Sequence, residues 1–317
     1  MIVLWVVLTA AILLLLFGFV FLKISVLHDT IGRKEETFRP KLSADYPDVL
    51  PWFDGLRQFG LVSDEYLTNR VGLRIHAYFI PKENAQSTVV LIHGYSGCAL
   101  QTLPHARMYR ERMNCNVVMV DLVHHAQSEG RVTGMGWNDR LDVMQWIELA
   151  NSRFVTGNDE PLPMALHGLS MGGACALMTA GEGNLPSNVK AIVDDSGYTS
   201  AFSEFSHEIT TKLHLPVIPF AYVASFVAKC VLGWSYREAS ALKRMSQIEQ
   251  PVMVIHGDAD TRVVYSEGKQ LYDAKTKGYR EMWSVKNGAH IAAIRMYPEE
   301  YFQRVSSFLE KFGFPVK

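Results

Sequence analysis

Gly168-Leu169-Ser170-Met171-Gly172 sets a serine between two glycines. A serine hydroxyl becomes an effective nucleophile only where a base can take its proton and the chain turns sharply enough to expose it. Gly168, Gly172 and Gly173 supply the small residues such a turn needs, and the apolar run PMALH precedes the serine while GGACALMTA follows it. That is the strand–turn–helix context of a nucleophile elbow, with a helix N-terminus that favours developing negative charge. In this arrangement the acid and then the histidine follow the serine along the chain. The run VMVI leads into His256-Gly257-Asp258-Ala259-Asp260, where two carboxylates compete. Asp260, further past the strand and just before Thr261-Arg262-Val263-Val264, is the candidate acid, and Asp258 reads as a turn residue. The run Met282 to Val285 is followed by Lys286-Asn287-Gly288-Ala289-His290, which makes His290 the candidate base. His93, His124, His125, His167 and His256 lie near strand ends, where a histidine is ordinarily a hydrogen-bonded structural residue. An oxyanion hole takes one backbone N–H from the residue after the nucleophile, Met171, and a second from the loop after the third strand. That loop reads His93-Gly94-Tyr95-Ser96-Gly97, with Gly94 allowing close approach and Tyr95 offering its N–H. This chemistry requires neither a metal nor an organic cofactor.

Short apolar runs alternating with helical stretches must hold these residues. Leu61 to Thr68 and Leu73 to Ile80, split by Asn69 to Gly72, read as an antiparallel hairpin. Strands are expected at Thr88 to Ile92, Val117 to Asp121, Met164 to Leu166, Val189 to Val193, Val252 to Ile255 and Glu281 to Val285. Helices are expected at Leu103 to Met113, Asn138 to Ala150, Ala174 to Ala180, Tyr265 to Thr276 and Pro298 to Phe312. Continuous apolar strands separated by helices imply an α/β fold with a mostly parallel sheet covered on both faces. Residues 197–240 break the rhythm. They hold no strand pattern, are rich in Phe202, Phe205, Phe220, Tyr222, Phe226 and Trp234, and read as a cap over a pocket.

The chain opens on Ile2 to Leu22, 21 residues without a charge. A helix of that length spans roughly 30 Å, the thickness of a bilayer core. A basic leader and a small-residue cleavage site, the marks of a signal peptide, are missing, so residues 1–23 are expected to anchor the chain in a membrane. Lys23, Arg33, Lys34, Arg39 and Lys41 follow the run, and no cation precedes it. The positive-inside rule then favours the cytoplasmic side for the rest of the chain. Residues 24–60, with Pro40, Pro47 and Pro51, read as a stalk and lead-in whose end packs on the domain through Trp52 and Phe53, and 61–317 as the catalytic domain. A net charge of −1 without a basic block gives no footing for a nucleic-acid partner. Cys98, Cys115, Cys175 and Cys230 form no C-x-x-C pair and are expected to be small buried thiols rather than zinc ligands.

Taken in order, HGYSG, Asp121 followed by HHAQSEG, HGLSMGG, HGDADTRV and NGAH resemble the α/β-hydrolase superfamily over roughly residues 60–315. Within it the chain is similar to membrane-anchored bacterial hydrolases akin to serine aminopeptidase-like and monoacylglycerol-lipase-like enzymes. The resemblance implies an eight-stranded sheet with its second strand antiparallel and a cap after the sixth. It leaves Asp195, at the end of that sixth strand, as an alternative acid. One departure is His125-Ala126-Gln127-Ser128-Glu129-Gly130, where relatives carry His-Gly before Ser-x-Gly. The expected activity is hydrolysis of an acyl ester or lipid through Ser170, Asp260 and His290. Peptidase, thioesterase and a non-catalytic binding protein are the alternatives.

Overall fold

The computed structural model describes residues 1–27 and 35–316. Arg33 and Lys34, two of the cations behind the orientation argument, lie outside the described residues, as does part of the expected stalk. Eight strands form one sheet: β1 (Ser63–Thr68), β2 (Arg74–Ile80), β3 (Thr88–Ile92), β4 (Asn116–Asp121), β5 (Met164–Leu169), β6 (Val189–Asp195), β7 (Val252–Gly257) and β8 (Arg280–Val285). Their order is β1-β2-β4-β3-β5-β6-β7-β8. β2 runs antiparallel to both β1 and β4, and every pair from β4 to β8 is parallel. This is the α/β-hydrolase fold. β3, β4, β5 and β7 are buried at every position, because helices cover both faces of the sheet.

The helices are α1 (Ile2–Ser25), α2 (Glu35–Asp45), α3 (Val49–Gln58), α4 (Leu103–Arg107), α5 (Asp139–Arg153), α6 (Met171–Ala180), α7 (Ala201–Thr211), α8 (Val217–Leu232), α9 (Leu242–Met245), α10 (Tyr265–Ala274), α11 (Ala293–Met296) and α12 (Pro298–Lys311). One core gathers Val90, Val118, Ile147, Leu166 and Ile192 from the sheet and α5 with Met171 and Leu177 of α6. The other gathers Val89, Leu91, Met119 and Ile255 with Phe53 of α3 and Phe308 of α12.

The expected stalk takes a different form. Its described part from residue 35 onward is two helices, and Leu42, Val49, Leu50 and Phe53 are buried against Tyr78 and Ile80. Pro51 is accommodated in the first turn of α3, where a missing N–H leaves no helical bond unmade, whereas Pro40 lies inside α2. Nor does α1 separate from the folded unit at residue 23. Phe21, Leu22 and Val26 are buried, the Thr133 N–H donates to the Val26 carbonyl at 2.9 Å, and Ser25 Oγ lies 3.1 Å from the Tyr236 hydroxyl. Cys98, Cys115 and Cys175 are buried free thiols as expected, but Cys230 is exposed, since it lies on the outer face of α8.

Candidate active site

Ser170 joins β5 to α6 with φ 56° and ψ −119°. A non-glycine residue at positive φ is strained, and such strain persists only where the surroundings fix it. Here they do. A Cβ on Gly168 would lie 2.0 Å from the Gly172 carbonyl oxygen, and one on Gly172 would lie 2.1 Å from that of Ile92. The Ser170 N–H is tied to the Asp195 carbonyl at 2.8 Å. The two glycines thus let α6 sit hard against β3 and β5, and the serine is lifted out of the turn between them.

His290 follows β8, in the loop opened by Lys286. The Ser170 hydroxyl donates to His290 Nε2 at 2.9 Å, and His290 Nδ1–H donates to Asp260 Oδ2 at 2.7 Å. This tautomer follows from the carboxylate, which can only accept. Asp260 Oδ1 in turn accepts the N–H groups of Arg262 and Val263 at 2.9 and 3.0 Å, so the carboxylate is fixed by its own loop. Asp258 points outward, exposed, as a turn residue does. Asp195, the alternative acid, is buried but differently engaged: it accepts from Ser196 Oγ and the Tyr301 hydroxyl, each at 2.9 Å. Burial pushes its carboxyl up to about 6. It underlies the site through Ser196, whose Oγ accepts the Ile291 N–H at 3.2 Å.

The loop carrying Tyr95 lies against the nucleophile, since a Cβ on Gly94 would sit 3.3 Å from Ser170 Cβ. His93 Nδ1–H donates to the Gly94 carbonyl at 2.7 Å, and its Nε2 accepts the Leu122 N–H at 3.1 Å. The Gly94 carbonyl and the Tyr95 N–H belong to one planar peptide, so His93, together with the Gly97 N–H that donates to the same carbonyl at 3.1 Å, fixes the direction of that N–H. His125 Nε2 donates to the Tyr95 carbonyl at 2.7 Å, bracing the next peptide. The departure at His125 to Gly130 therefore supports the loop that carries Tyr95. Its sequence signal was no more than adjacency to a strand end.

Two openings flank the candidate triad. A cleft of about 270 Å³ runs beside His290, lined by Phe38, Tyr46, Gln101, His105, Leu169 and Arg295. A narrow crevice at Ser170 lies under the 197–240 insertion, between Tyr95, Tyr198, Phe205, Glu204, Glu208 and Arg262. Burial pushes the Glu204 carboxyl up to about 8, with Glu208 adding to the effect and Arg262 opposing it. Sequence reasoning missed both glutamates, for nothing marks them until α7 folds over the serine. His105, His167 and Asp195 hold possible ligand atoms within 4.8 Å of one another. However, both His167 nitrogens are engaged by Tyr109 and Tyr301, and Asp195 is held by Ser196 and Tyr301, so only the buried His105, whose nitrogens have no hydrogen-bond partner among the described residues, has a ligand atom uncommitted, and one such atom is no ligand set.

Residues 132–313 match the model of the prolyl oligopeptidase family. The chain is 25% identical over 263 residues to the uncharacterized protein YqkD of Bacillus subtilis (strain 168), covering 83% of each. It is 24% identical over 282 residues to the alpha/beta hydrolase domain-containing protein WAV2 of Arabidopsis thaliana, covering 86% of this chain and 85% of that one. Among solved structures, a Pyrococcus furiosus esterase superposes with a TM-score of 0.64 at 20% identity, over 81% of this chain and 94% of the esterase. A membrane phospholipase A described as a bacterial virulence factor superposes with a TM-score of 0.57 at 17% identity, over 85% and 93%. These structural likenesses establish the fold.

Proposed function

The chain belongs to the prolyl oligopeptidase family of α/β-hydrolases, and from that footing we propose that it is a serine hydrolase of carboxylic esters, held to a membrane by α1. The observation that carries the reading is the run of contacts from Asp260 through His290 to Ser170, 2.7 and 2.9 Å long. His290 takes the Ser170 proton as the oxygen attacks the acyl carbonyl. Asp260 holds the imidazole in its tautomer and stabilises the charge it gains. The N–H groups of Tyr95 and Met171 receive the oxyanion. The leaving alcohol takes the proton back from His290, and water then cleaves the acyl-enzyme by the same route.

Acyl esters or lipids are favoured as substrates by the apolar walls of Tyr95, Tyr198 and Phe205 at the serine and by the adjoining apolar helix. The second reading is a serine peptidase. The family's name supports it, as do Glu204 and Glu208, carboxyl groups in the serine crevice able to meet a cationic substrate end. The kinship with membrane-anchored lipase-like enzymes belongs to this proposal, and so does a division into an anchoring helix whose end packs on the fold, a lead-in whose helices pack on the sheet, and the hydrolase domain. Orientation toward the cytoplasm rests on Lys23, Arg39 and Lys41 after the apolar run, and a reporter fused to the C-terminus tests it.

Ser170→Ala is expected to fold normally, to lose labelling by a fluorophosphonate, and to lose at least roughly 10³-fold in ester turnover. Turnover near wild type in that variant ends the proposal. A p-nitrophenyl ester chain-length series set against aminoacyl-anilides separates the readings: preference for the esters upholds the first, and preference for the anilides upholds the peptidase.

A further inference from the structure

The last three turns of α1 are packed against the cap. Phe17 meets Phe220 of α8 edge-on with ring centroids 4.8 Å apart, and Phe21 meets Phe205 of α7 at 5.6 Å. A Cβ on Gly18 would come within 2.7 Å of Val227, so α8 lies too close at this glycine to admit a side chain without a shift. Residues 2–13, by contrast, are exposed on every side. At about 1.5 Å per residue those twelve residues reach only about 18 Å, well short of a hydrocarbon core of roughly 30 Å. If α1 crosses a bilayer, the remaining depth has to come from the turns that α8 covers, and α8 enters with them.

The outer face of α8 suits that position. Tyr222, Phe226 and Cys230 recur at four-residue spacing, Ile218 precedes them and Val231 flanks them, all exposed. Ile218 and Phe226 are 70% and 60% accessible. Charged residues border this face: Lys23 is exposed near the end of α1, Lys229 sits in the last turn of α8, paired with Glu238 at 2.8 Å, and the exposed Arg237 holds its guanidinium 5.6 Å from the centre of the Tyr222 ring. Long cationic side chains at such margins reach out to the headgroups. We propose that α8 is itself a lipid-contacting element, sunk beside α1 into the acyl region of the bilayer, with the Ile218–Tyr222–Phe226–Cys230 stripe facing lipid. This rests on reading α1 as a membrane span. It bears on the catalytic reading, because the same end of α1 touches two walls of the serine crevice. The Tyr95 hydroxyl donates to the Ser25 carbonyl, and Phe205 packs on Phe21. The crevice therefore lies at the bilayer surface, facing acyl chains.

The test is spin labelling of the full chain reconstituted in phosphatidylcholine vesicles. One nitroxide is placed at Phe226→Cys in a Cys230→Ser background, and in a second preparation native Cys230 is labelled directly, which needs no substitution. Leu13→Cys, also with Cys230→Ser, reports the span, and Lys269→Cys on α10 in the same background reports water. Labels at 226, 230 and 13 are expected to be relaxed by dissolved oxygen and to lose the relaxation by a water-soluble nickel chelate that the 269 label retains. If 226 and 230 respond to nickel as 269 does while 13 remains lipid-exposed, the inference falls and the span stands. If 13 also responds to nickel, the span falls and takes the inference with it. Labels at 226 and 230 shielded from both reagents would mean a protein partner covers the stripe, which equally overturns it.

Discussion

Asp260 and Asp195 both act on His290, and they are separated by what each already holds. Asp260 has one oxygen tied to its own loop by two backbone N–H groups, which leaves the other free for the imidazole at 2.7 Å. Asp195 has both oxygens committed, to Ser196 and Tyr301, and acts on His290 only through space. The two therefore fail differently when their charge is removed. Asp260→Asn is expected to lower kcat roughly 10³- to 10⁴-fold with the fold intact, since the amide favours the wrong imidazole tautomer. Asp195→Asn is expected to show itself mainly as a lower Tm, because it disturbs a buried network rather than the proton path. Paired kinetics and thermal melts check this. A larger kcat loss in the Asp195 variant would reassign the acid.

At the scale of elements, the loop after β3 determines whether a donor is aimed at the serine. Its histidine is the hydrogen-bonded structural residue that a strand-end position implies: His93 bridges the Gly94 carbonyl and the Leu122 N–H, spanning the ends of β3 and β4. Without His93, the Gly94–Tyr95 peptide keeps the longer bond from the Gly97 N–H to its carbonyl, 3.1 Å, but is held less firmly. Loss of one oxyanion donor altogether costs about 10²- to 10³-fold in kcat, so His93→Ala, which loosens the donor, is expected to cost about 10- to 100-fold with KM little changed. His93→Asn, whose amide can still reach the carbonyl, is expected to recover part of that loss. Steady-state kinetics on the two variants test the point, and a loss confined to KM would contradict it.

For the molecule as a whole, the buried ionisable groups set a pH dependence. Burial pushes Asp139 up to about 7, Asp142 and Asp195 to about 6 and Glu204 to about 8. Over those ranges the folded chain keeps protons that the unfolded chain has released, so each group's contribution is lost as pH rises. Buried His105, pushed down to about 3, and His167 and His256, also lowered by burial, act in the opposite sense. They refuse protons that the unfolded chain takes up, but only below its histidine value of 6.5. Above that value the opposing group is Lys275, whose ammonium burial lowers to about 8, so its effect begins only at the top of the window. Tm is therefore expected to fall between about pH 6.5 and 8, and Glu204→Gln is expected to flatten the decline. Calorimetry across that window decides; a flat or rising Tm in the unmodified chain would show that these carboxyls ionise freely in the fold.

The sequence by itself determined the fold and the order of the candidate site. The apolar strand runs specify a sheet buried on both faces, and G-x-S-x-G between a strand and a helix can be satisfied only by a sharp turn. The loops carrying Asp260 and His290 follow strands whose patterns are plain. Those signals are local, so they survive in one dimension. Position along the chain favours Asp260 over Asp258 and Asp195, and tertiary structure alone supplies the reason, namely which carboxylate oxygens are already occupied. It also made the described part of the expected stalk into two helices, for Trp52 and Phe53 announce packing at its end while the apolar residues of α2 are too sparse to declare a buried face until the sheet meets them. And it joined α1 to the cap, a contact between residues some two hundred positions apart that no spacing along the chain records.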